Sequence, residues 1–108
     1  MTPFDFRITV ETAEHRTVLS VSGDVDLATA SIVLNRVEAL FREPITAFVL
    51  DLGGVTFLDS SGIEALLKAE ALAVEHRVPF VLASTSAEVR RSLHGAGLAD
   101  VLGRMSSG

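Results

Sequence analysis

The sequence predicts an α/β domain in which helices pack on a mixed β-sheet of about four to five strands, in the order ββαβαβα. Three observations lead to this prediction. Two segments near the N-terminus alternate apolar and polar residues, later short segments are apolar throughout, and segments with helical apolar spacing separate them. With 108 residues, 48% of them hydrophobic, the chain can build one core and is too short for two domains.

The first two strands are predicted to form a hairpin. Residues Phe4 to Glu11 alternate, with the apolar side chains on one side, and residues His15 to Ser22 alternate as well. The short polar link 12–14 between them is typical of a hairpin connection. Gly23 is predicted to end the second strand.

The first helix is predicted to begin after Asp26, whose carboxylate suits an N-cap. Apolar residues then recur at helical spacing and form a stripe that can pack on a sheet. Pro44 prevents any continuation of the helix. The stripe consists of Ala30, Val33, Leu34, Val37, Leu40 and Phe41.

Two short apolar runs follow, and a predicted break separates them. Residues 47–50 are apolar on both faces, which is typical of a central strand. Residues 51–54, Asp-Leu-Gly-Gly, are predicted to break that strand, and Val55 to Leu58 form a second run. This run leads into Asp59-Ser60-Ser61-Gly62, where the second helix is predicted to begin.

The second helix is predicted to extend to about Arg77, with a core stripe of Ile63, Leu66, Leu67, Ala73 and Val74. The stripe is imperfect because Glu70 falls inside it. Ala65, Ala69 and Leu72 fall on the opposite side, where small residues and one exposed leucine would let a partner helix approach closely. The alternative for Leu72 is an isolated surface leucine, which is common.

The C-terminal part is predicted to contain one strand and one helix. The strand spans Val78 to Ala83, and Thr85-Ser86-Ala87-Glu88 has the pattern of a capping box that starts the helix. Gly95 or Gly97 suits the left-handed residue that ends it. Leu98, Val101 and Leu102 are predicted to form a final turn that docks on the core.

Composition excludes several classes of function. The formal net charge of −5 argues against a nucleic-acid partner and against an anionic membrane surface. The chain has no cysteine, and its three histidines are scattered, so we expect neither a metal site nor a cofactor. The N-terminus resembles no signal peptide, and no apolar stretch is long enough to span a bilayer. We therefore expect a cytoplasmic protein.

The residues most suited to a functional modification are Ser60 and Ser61, at the predicted start of the second helix. Unpaired backbone N–H groups at a helix N-terminus can receive a phosphate oxygen. A serine in this place is most often only an N-cap. Both roles are compatible, and we assign the cap to Ser61 and the exposed acceptor of a phosphate to Ser60; the reverse assignment agrees with the sequence as well. A hydrolase built on Ser60 and His94 is not supported, because the Gly-x-Ser-x-Gly turn is absent.

The run Phe57-Leu-Asp-Ser-Ser-Gly-Ile63 resembles the signature of the STAS domain, in particular that of the bacterial anti-sigma factor antagonists. The resemblance covers nearly the whole chain. Gly23-Asp24-Val25-Asp26 resembles the family segment that opens the first helix. Val89-Arg90-Arg91, with Leu93 and Gly97-Leu98, resembles its last helix and the turn after it.

The resemblance implies a regulatory binding protein without catalytic residues. A family member binds an anti-sigma factor that is also a serine protein kinase, and phosphorylation of the serine after the motif aspartate, here Ser60 after Asp59, separates the two. We expect Asp24 and Asp26 to lie near the same edge of the sheet. The expected partner surface comprises Asp24, Asp26, Asp59, Ser61, Gly62, Ala65, Ala69 and Leu72.

Further partners and rival functions follow from the same resemblance. A phosphatase is a candidate second partner, and the chain is expected to be a monomer or a weak dimer. The alternative function is that of a STAS subunit in a lipid-transport or signalling-scaffold complex, in which the serine stays unmodified.

Overall fold

The computed structural model describes residues 6–14 and 16–106. Its strands are β1 (Arg7–Ala13), β2 (Arg16–Val25), β3 (Ala47–Leu58) and β4 (Phe80–Thr85), and its helices are α1 (Leu27–Leu40), α2 (Ser60–Glu75), α3 (Ala87–Gly95) and α4 (Ala99–Ser106). The order ββαβαβαα confirms the predicted fold class and adds one helix at the end. Phe4 and His15 lie outside the described residues. Within the described residues, the helices fall short of the length and apolarity that crossing a bilayer requires.

The sheet has the strand order β1-β2-β3-β4. β1 pairs antiparallel with β2, which confirms the predicted hairpin, while β3 lies parallel to both β2 and β4. The carboxyl ends of β2 and β3 meet in register, with Val25 opposite Leu58. The segments that follow these two strands therefore start side by side, at one edge of the sheet.

One face of the sheet and all four helices share a single hydrophobic core. Strand alternation directs Leu19 and Val21 of β2 and Phe48 and Leu50 of β3 to this face. The helices contribute Ala30, Val33 and Val37 from α1, Ala65, Leu66, Ala69 and Ala73 from α2, Val89 and Leu93 from α3, and Val101 and Met105 from α4. Val49 is buried but does not belong to this core, because alternation turns it to the opposite face of the sheet.

The predicted breaks at glycines in β2 and β3 are wrong. β2 continues through Gly23, whose φ is 91°, to Val25, and residues 51–54 lie inside the single strand β3. Gly54 pairs with Ser22, and a Cβ on Gly54 would lie 2.7 Å from Ser22 Cβ. This glycine therefore permits close approach of two irregularly paired strands and does not mark a turn.

The predicted core stripe of α2 is confirmed for Leu66 and Ala73, which are buried, and for Ile63 and Leu67, which pack partly buried against the core, but it is wrong for Val74. Ala65 and Ala69 are buried, Leu72 is partly buried against the core, and Val74, predicted to be in the core, is 72% exposed. Hydrophobic patterning gives little weight to alanine, whereas α2 packs on the core through Ala65 and Ala69 as well as through its large side chains. Ala65, Ala69 and Leu72 thus do not form an exposed side for a partner helix.

Contacts of α2 and α3 explain two further differences between the predicted and the observed helices. Glu70, which interrupted the predicted stripe, receives two hydrogen bonds from Arg104 of α4, at 2.8 and 2.9 Å. The N-cap of α3 is Ser86, not Thr85, and its hydroxyl accepts from the amide of Val89 at 3.2 Å. Gly97 follows α3 with a φ of 75°, which confirms one of the two predicted left-handed positions.

Candidate functional site

The candidate site lies where the carboxyl ends of β2 and β3 give way to helices α1 and α2. The amide of Asp59 donates to the carbonyl of Val25 at 3.3 Å, so the two chain segments stay joined beyond their last paired residues. Each segment then continues with an aspartate that caps a helix, Asp26 for α1 and Asp59 for α2. Two helix N-termini therefore lie next to each other at this edge.

Asp59 is the N-cap of α2. Its backbone is extended (φ −99°, ψ −170°), and its Oδ1 accepts from the amides of Ser61 at 2.9 Å and Gly62 at 3.2 Å. The prediction that Ser61 is the cap is wrong, because the helix begins at Ser60, two residues earlier than a cap at Ser61 would place its start. An aspartate is as good an N-cap as a serine, and here the end of β3 places Asp59 in the position that needs one.

Ser60 is the first residue of α2, and its side chain is exposed. Across the described residues, no hydrogen bond involves its hydroxyl. A kinase could therefore reach this oxygen without unfolding the helix. Phosphorylation of Ser60 itself stays a prediction.

The backbone N–H groups expected to bind a phosphate already donate to another acceptor. Asp59 uses the amides of Ser61 and Gly62, which are the donors that a phosphate at a helix N-terminus would use. A phosphate on Ser60 would have to displace the Asp59 carboxylate or remain in solvent beside it. The geometry favours an exposed phosphate over a buried one.

Asp26 closes a capping box at the start of α1. Its Oδ1 accepts from the amides of Ala28 and Thr29, both at 3.1 Å, and its own amide donates to Thr29 Oγ1 at 2.8 Å. Hydrogen bonds from the Thr29 amide and then from the Thr29 hydroxyl hold the pKa of the Asp26 carboxyl below its usual value of 3.8. The carboxylate of Asp26 is therefore ionised at neutral pH.

Asp24 lies at the same edge and is also held in place. Its Oδ1 accepts from Thr56 Oγ1 at 2.6 Å, and its carbonyl lies 2.8 Å from Thr29 Oγ1. Asp24, Asp26 and Asp59 therefore gather at one edge, as expected from the sequence. In the described part of the chain these carboxylates do not form a group that could hold a metal ion. The three carboxylates make this edge, next to Ser60, negatively charged.

Gly62 anchors the first turn of α2 by close packing. It is buried, and a Cβ at this position would overlap Leu58 Cδ1 and lie 3.0 Å from Val25 Cγ1. A buried backbone position offers no side chain to a partner. The same correction applies to Ala65 and Ala69. Of the expected partner surface Asp24 and Asp26 are exposed, and Asp59, Ser61 and Leu72 are partly buried.

Sequence reasoning missed Ser92 of α3. Its hydroxyl donates to the carbonyl of Leu58 at 2.8 Å, one residue before the cap of α2, and so fixes the end of β3 to α3. The two residues are 34 positions apart, and a serine inside a helix carries no pattern that would predict this contact. His94, the hydrolase alternative, is exposed near the end of α3 and has no hydrogen bond to Ser60 in the described structure.

Comparisons with known proteins give the family. The STAS domain family matches residues 7–107. The anti-sigma-F factor antagonist RsfB of Mycobacterium tuberculosis is 34% identical over 93 residues, which are 84% of this chain and 75% of RsfB.

Two solved structures share the fold. An anti-sigma factor antagonist from Mycobacterium paratuberculosis superimposes with a TM-score of 0.76 and 27% identity, over 93% of this chain and 85% of that one. The phosphorylated form of the Bacillus cell fate determinant SpoIIAA superimposes with a TM-score of 0.68 and 18% identity, over 87% and 86%. Together with the motif around Ser60, these matches show that the chain belongs to the STAS domain family, among the anti-sigma factor antagonists.

Proposed function

We propose that this chain binds an anti-sigma factor that is also a serine protein kinase, and that phosphorylation of Ser60 by this kinase releases it. By binding the anti-sigma factor, the unphosphorylated chain frees a sigma factor. The phosphorylated chain does not free it. The observation that carries the proposal is the exposed Ser60 hydroxyl, fixed at the first turn of α2 beside the negative edge. The relatives named as anti-sigma factor antagonists and the phosphorylated form of SpoIIAA support it.

Electrostatics explains why the modification would separate the two proteins. A phosphoserine adds about −1.5 to −2 charges at neutral pH. Asp59 holds the nearest backbone donors, so the phosphate would add its charge to a surface that is already negative. A change of about 1.4 kcal/mol in binding free energy weakens binding tenfold, and an unpaired charge buried in an interface can cost more than that.

The proposed role is that of a regulatory binding protein in the cytoplasm, without catalysis of its own. The kinase supplies the chemistry of the forward step, and a phosphatase would restore the binding form. The exposed position of Ser60 suits both enzymes, because each must bring its active site to this oxygen.

Incubation with ATP and a purified anti-sigma factor kinase tests the proposal. Phosphopeptide mass spectrometry should place phosphate on Ser60 in the wild type and in Ser61→Ala, the matched control, and should find none on Ser60→Ala. The phosphorylated chain should bind the kinase at least about tenfold more weakly. Phosphorylation of Ser60→Ala at the wild-type rate would contradict the proposal. Equal affinity of the phosphorylated and unphosphorylated chains for the kinase would favour the alternative function, a STAS subunit whose serine stays unmodified.

A further inference from the structure

Large apolar side chains are left in solvent at the edge that carries Ser60. Leu27 is 74% exposed and Phe57 is 44% exposed. Two other large apolar side chains in the described residues are similarly exposed, Val74 at 72% and Ile32 at 47%, and these lie further along α2 and α1. The described residues therefore include two exposed large apolar side chains at the site and two of matched exposure outside it.

Leu27 lies on the helix side of the edge. It is the first residue of α1, directly after the cap Asp26, and it lines a groove between α1 and α2 together with Ser61 and Ala65. Ser60 is likewise the first residue of its helix. A protein surface that covers Ser60 from the helix side would therefore meet Leu27.

Phe57 lies on the sheet side of the same edge. It pairs with Asp24 in the register of β2 and β3 and stands two residues before the cap Asp59. Its neighbours Val55 and Leu58 belong to the core, whereas Phe57 does not. The edge that carries Ser60 therefore also carries two large apolar side chains, Leu27 directly after Asp26 and Phe57 paired with Asp24.

The charge at this edge specifies what can cover it. Asp24, Asp26 and Asp59 would repel a second copy of this chain, because a symmetric contact would bring the same three carboxylates from both copies together. A complementary partner must present arginine or lysine around an apolar pocket. A standard interface of about 800 Å² per partner is large enough to cover this edge, with Ser60 and both apolar residues.

We propose that Leu27 and Phe57 are the apolar anchors through which the unphosphorylated chain docks its anti-sigma factor at the edge that carries Ser60. This inference rests on the proposed function and adds the residues that supply affinity. Aromatic and aliphatic side chains that become fully buried carry much of the binding energy in protein interfaces, while the charges around them determine orientation and partner choice.

Four alanine variants of the full chain test the anchors. The probe is a purified anti-sigma factor kinase, and its dissociation constant for each variant is measured by titration calorimetry without ATP. Leu27→Ala and Phe57→Ala should each weaken binding about tenfold or more, since truncation of a buried anchor costs over 1 kcal/mol. Val74→Ala and Ile32→Ala, matched in exposure, should stay within about twofold of the wild type.

Folding of the variants is checked by their melting temperatures, which should hardly change because all four side chains are exposed. Wild-type affinity for both Leu27→Ala and Phe57→Ala would overturn the proposal, as would equal losses in the two control variants. Self-association of the wild type that disappears in Leu27→Ala, measured by sedimentation, would assign the anchors to a second copy and would also overturn it.

The anchors and the phosphorylation switch can fail separately. If the anchor variants lose affinity while phosphorylation of Ser60 leaves binding unchanged, the docking surface stands and the proposed switch falls. If phosphorylation abolishes binding while the anchor variants bind normally, the switch stands and the anchors fall. Absence of binding to every anti-sigma factor tried would contradict both.

Discussion

The residue that starts α2 is Asp59, and its contribution can be isolated by substitution. Asp59→Ala removes the acceptor for the amides of Ser61 and Gly62 and should lower the free energy of unfolding by about 1 kcal/mol, the usual cost of losing a cap. Asp59→Ser retains a capping oxygen and should recover most of that loss. Urea denaturation followed by circular dichroism measures both. Equal stability of Asp59→Ala and wild type would show that this cap is not needed.

A second residue-scale prediction compares two helical glycines. Gly62→Ala should destabilise the fold by about 1–3 kcal/mol, because the added Cβ meets Leu58 and Val25. Gly103→Ala, in α4, meets nothing within 4 Å and should stabilise the protein by up to about 1 kcal/mol through helix propensity. Denaturant midpoints of the two variants should therefore move in opposite directions. A gain in stability for Gly62→Ala would contradict the packing seen at the site.

At the scale of an element, the capping box of α1 makes stability depend on pH. The folded state lowers the pKa of Asp26, so its ionised carboxylate stabilises the fold above the unfolded pKa near 3.8, and this contribution is lost as the pH falls through the folded pKa. The stability advantage of the wild type over Asp26→Ala should shrink between about pH 6 and about pH 2. A difference that stays constant over this range would show that the charge of Asp26 does not matter to the fold.

The burial of Leu72 and the exposure of Val74 on α2 can be tested by substituting each with glutamate. Leu72→Glu would place a charge among residues that pack on the core and should cost about 1–3 kcal/mol. Val74→Glu places the same charge on a residue that is 72% exposed and should change stability by less than about 0.5 kcal/mol. Thermal unfolding distinguishes them, and a larger loss for Val74→Glu would restore the placement of these two residues that the sequence predicted.

At the scale of the whole molecule, phosphorylation should act on the surface and leave the fold intact. Ser60 is exposed and does not belong to the core. The melting temperature of the phosphorylated chain should therefore lie within about 4 °C of the unmodified one, the shift that about 1 kcal/mol produces in a small domain. The comparison uses the enzymatically phosphorylated chain and mock-treated protein. A much larger drop would mean that phosphate disrupts the cap of α2 and releases the partner by local unfolding.

The sequence by itself determined the order of the strands and of the first three helices, the cap Asp26 and the candidate Ser60. These rest on local signals, since alternation, helical spacing and capping residues act over a few neighbouring positions. The strand β2 illustrates this: its alternate residues Leu19 and Val21 are buried as the pattern predicted. The motif around Ser60 was found for the same reason, because all its residues are adjacent in the chain.

Only the tertiary structure decided how these elements fit together at the site. Glycines in β3 could mark a turn or a close strand contact, and the pairing of Gly54 with Ser22 settled which. Alanines carry little hydrophobic signal, so the buried face of α2 depended on what α2 packs against. The bond from Ser92 to Leu58 joins residues 34 positions apart, and the exposure of Leu27 and Phe57 depends on the surrounding fold. Such features arise from contacts between distant segments, which no local pattern encodes.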